Sequence, residues 1–340
     1  MPLNPSVCSE GPARSIFPKP LLSYCFAAFF AITAIGPVAA ESLSQPDVSP
    51  LEAAAAGYIQ YRQDVTALEA RPFRDAEVTR EAHRRLAAHD SQALASGFIA
   101  YAALVAADTP EFADALKSEL KRKASRRQSQ LGGHAGLMSN IAQDAQFLRG
   151  LEGTDRAIAN VLACVARDSA RIINVGESFK SQAYAMQKTA WGKKRIAASQ
   201  ERIGDADEYR LNRSAPVMPG LGGPNDGGVT SPSLAGASTD WQTSWGETAP
   251  SGAMHNANSH AIMDRILSLA ARYATGSVNE KLVSVYARDK KSERCLSLSK
   301  LTLNQCIAAT RTPYEEAFCL GEHGLNDVAT CVSWFDGEDS

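Results

Sequence analysis

TDRAIANVLACVARDSARIINVGESFKSQAYAM, residues 154–186, is the stretch that decides the fold. Ile158, Val165, Ile172, Phe179 and Met186 recur at seven-residue intervals, and Val161, Leu162 and Val175 partly fill the companion seam. Such a repeat keeps one face of an α-helix turned towards a neighbour. Asp168 and Gln182 place polar groups at the remaining seam positions. The pattern therefore predicts a helix packed in an antiparallel bundle rather than a long dimeric coiled coil.

The flanking sequence reads the same way. Ser49-Pro50-Leu51-Glu52 supplies an N-cap, a proline at the first helical position and a capping-box glutamate. The stripe Leu51, Ala55, Tyr58, Val65 and Leu68 follows and stops at Arg71-Pro72. Residues 75–89 predict a polar helix with little to bury. Leu94, Phe98, Tyr101, Leu104 and Val105 mark an alanine-rich helix that closes before Thr109-Pro110, where Phe112, Leu116 and Leu120 begin another. Beyond Gly132-Gly133 a short helix carries Leu137, Ile141 and Leu148 and stops at Gly150. Few aromatic residues and abundant alanine favour helices over a β-sandwich.

From residue 203 to 259 the composition turns to Gly, Pro, Ser, Thr, Asn and Asp, with Pro-Gly-Leu-Gly-Gly-Pro at 219–224. So long a stretch does not suit a loop inside a compact domain and reads as a flexible, disordered linker. Trp241 and Trp245 stand out in it, either as side chains that fold back onto the helical domain or as candidate docking residues. Residues 260–340 return to helical patterning with Ile262, Ile266, Leu269 and Tyr273, then a capping box at Ser277-Val278-Asn279-Glu280. Thr312-Pro313-Tyr314-Glu315 starts a short helix ending at Gly321, and Leu325, Val328, Val332 and Phe335 outline the last one.

The N-terminus supplies an address. Leu21 to Val38 is an apolar run behind Arg14 and Lys19, closed by Val38-Ala39-Ala40, which is the layout of a secretory signal cleaved to leave Glu41. An uncleaved anchor is the alternative, disfavoured by the small residues at the cleavage point and the lack of a basic stop-transfer cluster. Leu22-Ser23-Tyr24-Cys25 imitates a lipoprotein box but precedes most of the apolar run. In an oxidising compartment Cys295, Cys306, Cys319 and Cys331 read as two disulfides stapling a small helical module. An up-down-up arrangement of three short helices would pair Cys306 with Cys331 and Cys295 with Cys319. Cys164 reads as a buried core thiol.

The expected architecture is thus all-α and exported: signal peptide 1–40, helical bundle 41–202, linker 203–259 and Cys-rich helical module 260–340, soluble once the signal is removed. A formal net charge of −2 argues against nucleic acid as a partner and confines any electrostatic contact to a local patch. The one such patch, Lys121, Arg122, Lys123, Arg126 and Arg127 with Lys117, stands at a helix C-terminus, where the dipole already favours cations. It is also a candidate contact for an anionic envelope polymer, lipid head groups or an acidic partner.

Catalytic signatures are weak. Ser118 to Lys121 and Ser297 to Lys300 match S-x-x-K without the elements that accompany it in hydrolases. Gly220-Leu221-Gly222 lacks a third glycine and a following helix. None of the six histidines is spaced for metal binding on one helix face, and no cofactor or metal is implied. The sequence points to a non-enzymatic structural or adaptor protein of the periplasm or cell envelope that acts through protein–protein contacts. The alternative is an envelope enzyme or ligand-binding protein with a dispersed site.

Overall fold

The computed structural model describes residues 48–127, 144–213 and 257–333, with no strand among the described residues. The chain runs α1 (Pro50–Glu69), α2 (Ala76–Ala87), α3 (Ser91–Ala107), α4 (Pro110–Arg127), α5 (Ala145–Arg149), α6 (Thr154–Met186), α7 (Ser199–Asn212), α8 (Ala257–Ala274), α9 (Glu280–Tyr286), α10 (Lys290–Ala309), α11 (Pro313–Cys319), a π-helical turn (Leu320–Asn326) and α12 (Asp327–Ser333). No single described helix is long and apolar enough to cross a membrane.

Local chemistry sets the helix starts. Ser49 and Glu52 form the expected capping box of α1, with Ser49 N–H donating to Glu52 Oε2 at 2.9 Å. Asp75, Asp90 and Asp289 cap α2, α3 and α10 by accepting backbone amides. At α9 the cap is Asn279, which accepts Leu282 N–H at 3.0 Å, instead of the Ser277 that the capping-box pattern suggested. Ser277 Oγ instead donates to Arg272 O, tying off the end of α8.

α3 occupies the centre. Thirteen of its 17 residues are buried, because α1, α6, α8 and α10 all pack against it; a helix apolar all round needs neighbours all round. The approach to α1 is set by two glycines. A Cβ at Gly57 would meet Ala93 O at 2.8 Å, and one at Gly97 would meet Tyr58 N at 2.8 Å. α6 turns Val161, Val165, Ile172, Val175, Phe179 and Met186 into the core as the seven-residue repeat required, with Ile158 half-buried. Its neighbours α3, α11 and α12 belong to the same chain, as in a bundle.

Three expectations need correction. α2 is not idle: it buries Val78, Ala82 and Leu86 together with the polar Thr79 and His83. α7 continues to Asn212, with Arg202 and Ala206 buried, so the helix runs beyond the point where composition placed the linker's start. Residues 214–256, including Trp241 and Trp245, lie outside the described residues. On their far side Ile262, Ile266 and Leu269 of α8 enter the same core as α3, and Tyr273 Oη donates to Glu52 Oε1 at 2.5 Å. The described residues thus fall within one compact unit, because a change of composition marks the course of the chain and not the edge of its core.

The third correction concerns the cysteines. The bonds are Cys295–Cys331 and Cys306–Cys319, with Cα separations of 5.6 and 5.7 Å, and not the pairing that three separate helices would give. Gly321 does not stop α11. The helix passes through the π turn into α12 as one rod, so α10 and this rod form an antiparallel hairpin whose cross-links are nested. Gly321 instead lets the rod approach α6: a Cβ at Gly321 would meet Gly176 O at 2.7 Å.

Candidate functional site

Buried ionisable side chains of the described residues form clusters, of which three join distant elements of the core. In the core, Tyr58 Oη donates to Asp168 Oδ2 at 2.7 Å and Arg62 Nε lies 3.0 Å from the same oxygen. Arg62 also donates to Tyr101 Oη and stacks 4.7 Å from that ring's centre. Burial pushes the Asp168 carboxyl above its usual value, with Arg62 and the Tyr58 hydroxyl opposing. Cys164 is buried beside this cluster as an unpaired thiol. Burial and the charge of Asp168 push it up to about 11, so it remains protonated at neutral pH.

The second cluster joins α2, α7 and the hairpin. Arg202 Nη1 donates to Glu316 Oε1 at 2.6 Å, and His83 Nδ1 lies 3.2 Å from that oxygen, all three side chains being buried. Arg202 also donates to Ala197 O, Ile307 O, Thr310 O and Thr310 Oγ1. A guanidinium satisfied in this way acts as a staple between elements.

The third cluster lies against solvent, where α1, α2, α3, α7 and α10 meet. Asp64 receives Arg213 Nη1 at 2.5 Å and Nη2 at 2.9 Å, Arg85 Nη1 at 3.1 Å and His89 Nε2 at 2.8 Å. Burial opposes its charge, but His89 and Arg213 outweigh burial and hold the carboxyl below its usual range. His89 separates two cavities. One, of about 160 Å³, is lined by Gln60, Asp90, Arg210 and Arg213. The other, of about 30 Å³, is lined by Tyr61, Ser91, Ser299, Lys300 and His323.

A His–carboxylate pair beside a cleft invites a catalytic reading. The neighbouring hydroxyls answer it. Ser91 Oγ donates to Leu296 O at 3.3 Å, Ser299 Oγ to His323 O at 2.8 Å and Tyr61 Oη to Gly324 O at 2.9 Å. These bonds fasten α3 to α10, and α10 and α1 to carbonyls of the π turn. Lys300 Nζ donates to His89 O at 2.9 Å, and burial and the nearby Arg210 lower its pKa. The smaller cavity has room for about one water molecule; the larger equals about five waters' share of liquid volume, below the several hundred Å³ usual for substrate pockets.

The residues singled out from sequence are scattered. Lys121 and Arg122 are exposed at the end of α4, where Arg122 Nη2 donates to Glu119 Oε2 at 2.6 Å. Lys123 Nζ stands 3.7 Å above the centre of the Phe147 ring, so one cation of the patch also serves α4–α5 packing. Arg126 and Arg127 close α4, with side chains outside the described set. Of the two S-x-x-K matches, Ser297 is exposed while Lys300 turns inward, so they do not converge. Among the described residues no His, Cys, Asp and Glu group is arranged to hold a metal. No protein-family model matches this chain, and neither does any curated protein or solved structure.

Proposed function

We propose that the chain is a non-enzymatic structural or adaptor protein of the cell envelope, acting through contacts with envelope proteins or an anionic envelope polymer. The observation that supports this reading most is the use made of the buried ionisable groups. Asp64, Asp168, Glu316, Arg62 and Arg202 each join elements distant in sequence, the pattern of a rigid scaffold rather than of groups kept poised for chemistry. Two disulfides suit an oxidising compartment. Under this reading the basic end of α4, with Trp241 and Trp245, provides contact surface.

The test is chemical cross-linking in the native envelope. Adducts should form with the intact chain and survive His89→Gln and Lys300→Met. They should weaken with salt and be lost when Lys121, Arg122, Arg126 and Arg127 are reversed to Glu, with helicity unchanged. If the His89 and Lys300 variants abolish the chain's cellular role while the adducts persist, the alternative gains: a ligand-binding or enzymatic role for the Arg210, Arg213 and His89 cleft.

A further inference from the structure

α10 has an inner side made of Leu296, Leu303 and Ile307, all buried, and an outer side of exposed basic and aliphatic residues. At 100° per residue, Lys290, Arg294, Leu298 and Leu301 project within one outer sector, with Lys291 on its flank. All five are exposed. Leu298 and Leu301 keep 62% and 52% of their surface in water. The one acidic residue of α10, Glu293, is turned aside to accept from Arg288 Nε at 3.1 Å. The sector is therefore basic at its N-terminal end, aliphatic one turn further on, and carries no carboxylate of α10 itself.

Both halves are placed against the interest of the helix. Lys290 and Lys291 stand in the first turn, where the positive end of the dipole disfavours cations. The basic patch of α4 is different, because it sits at a C-terminus and the dipole accounts for it. Exposed leucines likewise forfeit burial. α9, immediately before, also leaves Lys281 and Val285 exposed one turn apart, Val285 to 61%, though beside the exposed Glu280. Cations flanking aliphatic side chains on one exposed helix face match a surface that is negative outside and apolar just beneath. A second copy of the same ridge would oppose like charges.

We infer that the outer face of α10 docks on an anionic lipid leaflet. Lys290 and Arg294 lie at the phosphates and Leu298 and Leu301 enter the acyl boundary. This goes beyond the adaptor reading, since it names lipid as the ligand and uses a face remote in sequence from α4.

The experiment is sedimentation of the purified chain, both disulfides formed, with vesicles of phosphatidylethanolamine and phosphatidylglycerol or of phosphatidylcholine alone. Binding is expected to the first only and should fall as salt rises. Lys290→Glu with Arg294→Glu should lower affinity about tenfold or more, and Leu298→Gln with Leu301→Gln by a similar factor. The charge-reversed chain should melt no lower than the parent, since acidic residues suit a helix N-terminus, which separates lost binding from lost folding. Equal binding to both vesicles, binding to neither, or indifference to the α10 variants overturns the inference. Loss of vesicle binding on Lys121→Glu with Arg122→Glu, and not on the α10 changes, would move the lipid contact to α4 and leave the adaptor reading intact. If vesicles are ignored while the α10 variants lose a cross-link to an acidic envelope protein, the face is a protein interface and the lipid assignment fails.

Discussion

Arg202 donates to five acceptors, of which Glu316 alone carries charge. Burial works against that charge, yet His83 and Arg202 outweigh burial and hold the carboxyl below its ordinary 4.5. The sign follows from linkage. A carboxyl whose folded pKa is depressed contributes stability that is fully present above its unfolded pKa and is lost as pH falls through the folded value. Stability should therefore decline progressively below about pH 4.5, with Asp64 contributing in the same direction. Glu316→Gln should lose about 3–5 kcal/mol at neutral pH, because Arg202 then stays buried without a counter-charge, and should show a flatter decline in acid. Urea midpoints at neutral and acid pH check both halves; a Gln variant as stable as the parent at neutral pH would mean that the other four acceptors suffice. Cys164 supplies a second residue-scale test. Its buried, protonated thiol should ignore maleimide in the native chain. Unfolding without reductant should then expose one reactive thiol if Cys8 and Cys25 depart with the signal, and three if they are retained. Little of this was legible beforehand. Asp168 showed as a polar interruption of an apolar seam, but Tyr58 lies 110 residues away, and one sequence does not say which distant side chain answers a buried carboxylate.

At the scale of elements, starts were more legible than ends. Ser49 with Glu52 and Thr312 with Glu315 are local devices that act within one turn, and in each the glutamate accepts the backbone N–H of the cap residue. Gly321 was open to misreading because a glycine ends a helix only when the chain turns there. Here it is a contact residue, and the continuous rod beyond it decides the disulfide pairing. The nested bonds close loops of 36 and 13 residues. On loop-entropy grounds, removing Cys295–Cys331 should destabilise by about 4 kcal/mol and removing Cys306–Cys319 by about 3 kcal/mol. Paired Cys→Ala variants measured by denaturant unfolding test the order, and a larger loss for the inner bond would show that native-state packing outweighs chain entropy. The α1–α3 crossing offers a sharper test. Gly97→Ala places a methyl 2.8 Å from Tyr58 N, an overlap with backbone that no rotamer relieves, and should lose about 1–3 kcal/mol. Gly204 has nothing within 4 Å of a built Cβ, so Gly204→Ala in α7 should be neutral or stabilising, by up to about 1 kcal/mol. If both changes behave alike, the close approach of α1 and α3 is not what Gly97 is for.

For the molecule as a whole, the helical class was readable from periodicity and composition, whereas the single core was not. Whether two helical stretches share a core depends on which apolar faces meet, and the faces of α3 and α8 are 150 and more residues apart in the chain. The consequence is cooperative. α8 buries Ile262, Met263, Ile266, Leu267, Leu269 and Tyr273, and at roughly 1.5–3 kcal/mol per large apolar side chain this is on the order of 10 kcal/mol before the losses of ordering. An independent module tethered by a linker would unfold in its own transition; a shared core should give one. A cut tests this more directly than a melt. With a protease site engineered between residues 214 and 256 and cleaved under native conditions, the pieces bearing α1–α7 and α8–α12 are joined by no disulfide, since both bonds lie within the second piece. They should nevertheless co-elute at micromolar concentration, held by the packing of α8 and α10 on α3 and of α11 and α12 on α6. Tyr273→Phe, which leaves Glu52 without its buried donor, should weaken that association by about 1–3 kcal/mol. Fragments that separate on cutting, each keeping its helicity, would restore the picture of two modules on a tether.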